Sequence, residues 1–526
     1  MVTGLLVLIP VATVVGGLAG AGPKWDHLAS TVLGSYVANT LIVLASVLAL
    51  SFLFALPQAW LVSACEFPGR RIFEWALVMP LAIPAYIAAI VYIEVPENAI
   101  PFLVWVRSNL GIEAFVWTER LLRYGLLATL MAAVLSPYLF LAARASFTGQ
   151  QRAAIEAARV LGRGPVSLFF TVALPLARPA IVAGASLIAM EVVNDYGAVH
   201  FFGVPTITEG IFRTWFGLGD RASALRLAGF AMVAILFVLL VERGQRGRAG
   251  FAGGVRDSSP LARRKLGGAA SAVAVLVCLL PLAIGLLYPV WRLGGWAILS
   301  LGEVIDSDYL AQLGRSLTLS FVTAGLLTAV SVLLVYASRL HPVRWLRSIN
   351  RVSTMGYAAP GAVIAVGVMV SFGAIDHVLR SGLAYFGWDA RVFLSGTVVA
   401  IGFAYLVRFL TVAYEPVRAG MTRVCGQLDE ASRTMGRNAA TTLFCVNLPL
   451  VKGTLLAATM LVFVDILKEL PLTMILRPAN FETLATSAFG FAKEGEIQKS
   501  SVPSLIIVLA GAVGLVILNR FMRSPR

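Results

Sequence analysis

Residues 156–175 read EAARVLGRGPVSLFFTVALP, and residues 430–449 read EASRTMGRNAATTLFCVNLP. Both segments begin with Glu-Ala and a small residue, reach a glycine six positions after the glutamate, and end in Leu-Pro. The three landmarks recur at one fixed offset of 274 positions, as Glu156 and Glu430, Gly162 and Gly436, and Pro175 and Pro449. Chance does not repeat a spacing of this length, so we infer an internal duplication.

The composition is that of a membrane protein. Fifty-nine per cent of the residues are hydrophobic, 13% are charged and the mean hydropathy is +0.85, whereas soluble domains carry about 25% charged residues. Many apolar runs approach the ~20 residues that a helix needs to cross a bilayer. The net charge of +15 is dispersed between these runs. It therefore indicates membrane topology and gives no support to a nucleic-acid partner.

The pattern predicts an all-α membrane protein with about twelve transmembrane helices. The predicted spans of the first half are 3–21, 37–60, 73–95, 121–143, 176–199 and 225–241. Those of the second half are 269–290, 314–337, 353–375, 392–413, 451–475 and 502–520. The first span has no basic region before it and no small-x-small cleavage site, so we expect a retained helix rather than a signal peptide.

Loops on alternate sides of these spans differ in charge. One set is rich in arginine, for example Arg144, Arg243 and Arg344, whereas the other carries acids such as Glu303 and Asp306. The positive-inside rule places the arginine-rich loops, both repeated segments and both termini in the cytoplasm.

The duplication extends over the whole chain. AIPAYIAAIVY at 82–92 and AAPGAVIAVGV at 358–368 are 276 positions apart. Six predicted spans precede a basic linker and six follow it, so both halves enter the membrane in the same direction as a parallel repeat. We predict a first repeat at 1–241, a cytoplasmic linker at 242–268 and a second repeat at 269–526.

The repeated segments resemble the EAA loop of bacterial ATP-binding cassette (ABC) importer permeases, the cytoplasmic segment that engages the ATPase subunit. Two copies predict two permease halves fused head to tail, with a fold like that of type I importers. The resemblance assigns ATPase coupling to eight residues, namely Glu156, Ala157, Ala158 and Gly162 with Glu430, Ala431, Ser432 and Gly436. Ser432 replaces the usual alanine, which exchanges one small residue for another.

No chemical active site is visible in the sequence. It lacks the G-x-x-x-x-G-K-[ST] phosphate loop, and its four histidines and four cysteines form no recognisable catalytic or metal-binding pattern. We therefore expect no catalytic residue, no metal site and no bound cofactor, with ATP used by a separate ATPase subunit.

Two predicted spans contain paired acids. Glu191 and Asp195 recur 274 positions later as Asp465 and Glu469, and a spacing of four residues places each pair on one helix face. Intramembrane charges generally face the bundle interior and are functional candidates. The four carboxylates either line a translocation pathway that attracts a hard cation, or anchor helices, with Lys468 neutralising one of them.

The cargo is indicated by a second resemblance. EVVNDYGAVHFFGVPTITEGIFRTWFGLGDRASA at 191–224 and DILKELPLTMILRPANFETLAT at 465–486 are similar to the fused permeases of ferric-iron ABC importers. Such systems pair one fused permease in the inner membrane with an ATPase homodimer and a periplasmic iron-binding protein. Fused permeases for thiamine, polyamines or phosphonates share much of this pattern, so these cargoes stay open. An ion-coupled secondary transporter, which would need no ATPase, is the alternative from another class.

Overall fold

The computed structural model describes residues 2–20, 22–149, 152–248, 263–341, 343–354, 356, 359–385 and 394–522. Among these residues, the extended structure is limited to two strands of two residues each, Cys65–Glu66 (β1) and Arg264–Lys265 (β2), which pair in parallel. All other regular elements there are helical. The all-α class predicted from the sequence is confirmed.

The described helices before residue 249 include four that are long and apolar enough to cross a membrane, together with several short segments. They are α1 (Val2–Gly17), α2 (Trp25–Thr31), α3 (Leu33–Ala64), α4 (Arg70–Ala76), a 3₁₀ turn (Met79–Ala82), α5 (Ala85–Tyr92), α6 (Glu94–Asn98), α7 (Ile100–Gly149), α8 (Arg152–Val160), α9 (Pro165–Leu168), a π turn (Phe169–Ala173), α10 (Leu174–Asn194), α11 (Gly197–Phe201), α12 (Ile207–Phe212), a π turn (Arg213–Gly217) and α13 (Arg221–Arg248).

The helices after residue 262 repeat much of this order. They are α14 (Gly268–Leu282), a π turn (Ala283–Leu287), α15 (Tyr288–Val304), α16 (Ser307–Leu340), α17 (Arg344–Ser353), α18 (Gly361–Tyr385), α19 (Val398–Arg423), α20 (Gly426–Thr434), α21 (Ala439–Thr442), a π turn (Leu443–Asn447), α22 (Leu448–Leu467), α23 (Pro471–Leu476), α24 (Leu484–Lys493) and α25 (Ile497–Met522).

Helices long and apolar enough to cross a membrane occupy the positions that the sequence predicted. Within the described residues there are ten, and a bent pair, Arg70–Ala82 with Ala85–Asn98, occupies an eleventh position. The shorter apolar helix Val7–Gly17 occupies the twelfth. The ten are Leu33–Ala64, Ile100–Thr148, Val166–Asn194, Arg221–Glu242, Gly268–Val304, Ser307–Leu340, Gly361–Tyr385, Val398–Arg423, Ala439–Leu467 and Ile497–Ile517.

One predicted span, 73–95, is broken rather than continuous. Its two parts meet at an angle of 86°, and Pro84 lies at the break. Ile83 is extended, with φ −97° and ψ 115°, because the ring of a following proline disfavours the helical region for the residue before it. The equivalent Pro360 precedes the first residue of α18, so the span predicted at 353–375 begins at Gly361 and ends later, at Tyr385.

The contacts divide the described chain into two compact units. The N unit comprises Asp26–Gly210 and Val233–Ile298, and the C unit comprises Met1–Trp25, Ile211–Met232 and Leu299–Arg526. The boundaries of the sequence repeats stay a prediction, because these units are defined by contacts between residues and not by similarity of sequence. Of the predicted linker at 242–268, residues 249–262 lie outside the described part.

The first helix of the chain packs within the C unit. Helix α1 contacts α18, where the hydroxyls of Thr13 and Ser371 form a hydrogen bond of 2.8 Å. Helix α14, which opens the second predicted repeat, packs on α3 within the N unit, where the Gln58 amide donates to the Val277 carbonyl at 3.2 Å. Each compact unit therefore contains the opening helix of the other sequence repeat.

Candidate functional site

The two repeated segments have the same backbone. Helix α8 ends before Gly162, with φ +77°, and helix α20 ends before Gly436, with φ +79°. The amide of Arg163 donates to the Ala158 carbonyl at 3.1 Å, and that of Arg437 donates to the Ser432 carbonyl at 3.1 Å. A left-handed glycine followed by this hydrogen bond over five residues is the Schellman motif that ends helices. The number of residues from the glutamate to the glycine is the same in both segments because α8 and α20 end at equivalent positions.

Both glycines are required by the backbone and not by crowding. Among the residues that the structure describes, and apart from the two adjoining ones, no atom lies within 4 Å of the Cβ that would be added to Gly162 or Gly436. A non-glycine residue in the left-handed conformation costs roughly 1–2 kcal/mol. A side chain at either position would therefore disfavour the turn itself.

The Leu-Pro ending of each segment lies where a π turn passes into a long helix. The amide of Leu174 donates to the Phe169 carbonyl, and the amide of Leu448 donates to the Leu443 carbonyl, so each span begins with a π turn. Pro175 and Pro449 follow directly and have no N–H to continue the ordinary ladder.

The two helices are held to their units by different chemistry. In α8, Ile155 is fully buried and Ala158 is nearly so. In α20, the position equivalent to Ile155 is Asp429, whose Oδ2 lies 2.6 Å from Nε of Arg339 and whose Oδ1 accepts from the Asn447 amide at 3.0 Å. The first helix is anchored by apolar packing and the second by a charged hydrogen-bonded contact.

Ser432, which departs from the family pattern, also anchors α20. It is 2% exposed, and its hydroxyl lies 2.8 Å from the hydroxyl of Thr442, the last residue of α21. Ala158 is its equivalent in α8 and is buried in the same way. Ala157 and Ala431 are exposed. Among the coupling residues predicted from the sequence, Ala158 and Ser432 are thus buried and hold their helices, whereas Ala157 and Ala431 face outward.

Strongly exposed apolar side chains lie at the end of each helix. Leu161 is 82% exposed, its equivalent Met435 is 74% exposed, and Val160 is 87% exposed. Glu156 is half-buried and Glu430 is exposed. Leu161 and Met435 were not predicted from the sequence, although the recurrence of an apolar residue at the offset of 274 was the available signal. Exposed apolar residues rimmed by polar ones are typical of a protein interface.

Two of the four intramembrane acids cap short helices. Oδ1 of Asp195 accepts from the amides of Ala198 and Val199, at 2.8 and 3.2 Å, at the start of α11. Oε1 of Glu469 accepts from the amide of Leu472 at 3.1 Å, at the start of α23. Asp195 and Glu469 are equivalent positions in the two repeats. Each therefore stabilises the break where a long helix ends and a short one begins.

The acids of the C unit have cationic partners. Lys468 Nζ lies 2.8 Å from Asp465, and Arg408 Nη2 lies 3.6 Å from Glu469, with 7% of each of the latter two side chains exposed. Both contacts are what the anchoring interpretation requires, and assignment to the pathway stays a prediction. The sequence analysis missed Arg408, although an arginine inside the predicted span 392–413 was the available signal.

Glu191 and Asp195 belong to the N unit, whereas Asp465 and Glu469 belong to the C unit. Within the described residues, no group of three or more His, Cys, Asp or Glu side chains comes together in a way that could hold a metal ion.

Comparison with known proteins gives the class. The chain is 23% identical over 501 residues to the Fe(3+)-transport system permease protein FbpB 2 of Haemophilus influenzae, covering 93% of this chain and 90% of that protein. It is 30% identical over 217 residues to the molybdenum transport system permease protein ModB of Escherichia coli K12, covering 38% of this chain and 91% of ModB. No protein-family model matches the chain.

A helical membrane protein with two matching loop helices and relatives of this kind is a membrane subunit of a transport system. The chain belongs to the ABC transporter permease family. It is a multi-pass inner-membrane protein and not an enzyme, and it works with an ATPase subunit and a substrate-binding protein.

Proposed function

We propose that this chain is the fused permease of an ABC importer for ferric iron. The observation that carries the proposal is the match to the Fe(3+)-transport permease of Haemophilus influenzae, which extends over 93% of the chain and so includes both halves. ModB, at 30% identity, covers only 38% of the chain. The full-length match to a permease for Fe(3+) therefore supports iron as the cargo.

A molybdate-like oxyanion is the second candidate cargo, because the relative with the higher identity is ModB. The family as a whole does not determine the cargo. A permease of a diacetylchitobiose uptake system in Streptomyces coelicolor is 29% identical over 164 residues, which is 31% of this chain and 48% of that protein. The two metal cargoes must therefore be separated by experiment.

For coupling, we propose that α8 and α20 each dock into one subunit of an ATPase homodimer, with both termini of the permease in the cytoplasm. One helix per ATPase subunit matches the two copies in the chain. The equal Schellman caps at Gly162 and Gly436 give the two helices the same length, which an ATPase with two identical clefts requires. ATP is held by those subunits, and this chain binds no cofactor of its own.

For translocation, we propose that Glu191, Asp195, Asp465 and Glu469 make the passage tolerable for a highly charged cation. Iron(III) prefers hard oxygen ligands, and carboxylates replace part of its hydration. Asp465 pairs with Lys468, and Glu469 pairs with Arg408.

The cargo is tested by measuring uptake of radioactive ferric iron and of radioactive molybdate in vesicles that contain the permease, its ATPase and its binding protein. We expect ATP-dependent accumulation of iron and none of molybdate. Accumulation of molybdate alone would overturn the iron assignment and leave the permease assignment intact. Uptake driven by an ion gradient without ATPase would contradict both.

The pathway is tested with the quadruple variant E191Q, D195N, D465N and E469Q. We expect it to insert and to assemble with the ATPase but to lose iron uptake. The matched control neutralises four exposed acids, Glu97, Glu113, Asp308 and Glu494, and should transport normally. Parental uptake in the quadruple variant would show that the four acids are anchors.

A further inference from the structure

The C unit contains a polar cavity beside the second coupling helix. Its volume is about 520 Å³, and it lies between the ends of α16 and α19 and the helix α17. The polar side chains that line it are Ser338, Arg339, Asn350, Thr354, Tyr414, Glu415, Arg418 and Thr422. The lining continues to Val424 and Gly426, where α20 begins. A cavity of roughly 300–1,000 Å³ is of the size that holds small-molecule ligands.

Asn350 supplies a buried acceptor in the cavity wall. The residue is 4% exposed, and its Nδ2 donates to the Ser338 hydroxyl at 2.6 Å and to the Leu334 carbonyl at 3.3 Å. Its Oδ1 is buried and accepts no hydrogen bond from the residues that the structure describes. An unsatisfied buried acceptor costs about 1–3 kcal/mol, so a ligand with a donor would be stabilised here.

The N unit shows what occupies the equivalent place in the first repeat. Glu74 is equivalent to Asn350 at the offset of 276, and Arg144 is equivalent to Arg418 at the offset of 274. The Glu74 carboxylate forms an ion pair with Arg144 and also lies 3.4 Å from Arg70. In the C unit this internal carboxylate is missing, and Arg418 pairs with Glu415 on its own helix with more than half of the arginine side chain exposed.

The surrounding sequence is strongly basic. Residues 335–354 and 414–437 together contain eight arginines and three acidic residues. Such an excess produces a positive potential that attracts anions into a recess. An anion that also carries a hydrogen-bond donor fits this wall, where it competes with the Glu415 carboxylate for Arg418.

We propose that this cavity binds a small hydroxylated anion, either a hydroxycarboxylate or a phosphate ester. Its anionic group lies against Arg418, in the place that Glu74 occupies against Arg144. Its hydroxyl donates to Oδ1 of Asn350. The cavity volume of about 520 Å³ accommodates a molecule of this size.

The position of the site connects it to coupling. Arg339 lines the cavity, donates to the carbonyls of Met421 and Val424 at 2.8 and 3.0 Å, and pairs with Asp429 of α20. A bound anion therefore acts on the side chain that holds α20, and the site serves as an effector site for the second coupling helix. This consequence rests on the proposed role of α20, whereas the binding itself does not.

Binding is measured by calorimetry on the full chain in lipid nanodiscs with four probes. Malate and succinate differ by one hydroxyl, and glycerol 3-phosphate and glycerol differ by the anionic group. We expect malate or glycerol 3-phosphate to bind, which identifies the carboxylate or the phosphate source, and succinate and glycerol to bind at least tenfold more weakly. Binding of none of the four, or equal binding of all, overturns the proposal.

Three variants locate the site. Arg418→Ala and Asn350→Glu should each weaken binding at least tenfold, and Asn350→Glu should also raise the melting temperature because it restores the internal ion pair seen in the N unit. Arg423→Ala, at an exposed position of the same helix outside the cavity lining, should bind normally. Unchanged binding in Arg418→Ala would place the ligand elsewhere and contradict the assignment.

Hydrogen exchange supplies an internal control within one molecule. The ligand should slow amide exchange in residues 424–436 and leave the equivalent first segment, 152–162, unchanged. Equal protection of both segments would contradict a site confined to the C unit, and a failure of the cargo assignment would leave this result unaffected.

Discussion

Arg408 and Glu469 form a buried ion pair in the C unit, and a glycine on a third helix leaves the room for it. Nη2 and Oε2 are 3.6 Å apart. A Cβ on Gly361, the first residue of α18, would lie 2.1 Å from Nη1 of Arg408 and 2.6 Å from Oε1 of Glu469. Three helices, α18, α19 and the end of α22, are therefore fitted to one another around a single charged contact.

Gly361→Ala should lower the stability of the protein. The added methyl group must displace one partner of a pair that is nearly closed to solvent, and separating such partners costs about 3–5 kcal/mol. We expect a loss of about 3 kcal/mol at the low end of that range, seen as a lower melting temperature in nanodiscs. Gly373→Ala in the same helix is the control, because no atom of another described part of the chain lies within 4 Å of its added Cβ. Equal melting temperatures for the two variants would contradict the crowding argument.

Gly162→Val and Gly436→Val should uncouple ATP hydrolysis from transport while the protein still inserts. Valine disfavours the left-handed conformation of both glycines by roughly 1–2 kcal/mol, so the end of each coupling helix is altered. Uptake and ATPase activity are measured together on the reconstituted complex. Gly164→Val is the control, because Gly164 has no left-handed φ and open space around it. Normal coupling in the double variant would exclude a role for the caps.

Asp429 and Arg339 should show a measurable interaction energy in a double-mutant cycle. Their side chains are 13% and 20% exposed and lie 2.6 Å apart, so each single replacement leaves a partly buried charge. Asp429→Leu and Arg339→Leu should each destabilise the protein, and the double variant should recover about 1–3 kcal/mol relative to their sum. Chemical unfolding monitors the cycle. Additive effects would mean that the contact does not hold α20.

Asp220 should make stability dependent on acid pH. Burial alone raises the pKa of this carboxyl, but hydrogen bonds from Ser223 and from the Lys24 amide outweigh burial and hold the pKa below its ordinary value of 3.8. A lowered pKa contributes stability that is fully present above 3.8 and is lost as the pH falls through the folded-state pKa.

The comparison variant for this prediction is Asp220→Asn, which does not titrate. The difference in melting temperature between the parent and Asp220→Asn should be constant above about pH 5 and should shrink as the pH falls toward about 3. A difference that grows on acidification would have the wrong sign and would refute the assignment.

Much of the fold could be predicted because the bilayer imposes simple rules. The twelve positions of the apolar helices and the two loop helices that end at Gly162 and Gly436 follow from residue types at fixed spacing. Packing between distant residues could not be predicted in this way. The pairing of Arg408 with Glu469, the room at Gly361 and the packing of α1 in the C unit depend on which helices become neighbours, and one sequence does not contain that information.

Glu469→Gln should destabilise the protein more than Asp195→Asn, although the two acids occupy equivalent positions. Asparagine at position 195 keeps an oxygen that accepts from the amides of Ala198 and Val199 and is as good a cap as aspartate. Glutamine at position 469 can also accept from Leu472 but leaves Arg408, a residue that is 6% exposed, without its carboxylate. Removing one partner of a buried ion pair costs about 3–5 kcal/mol, against a few tenths for an exchanged cap. Thermal unfolding of both variants in one lipid composition measures the difference. If the two melting temperatures agree, Glu469 is a helix cap alone and Arg408 has its main partner elsewhere.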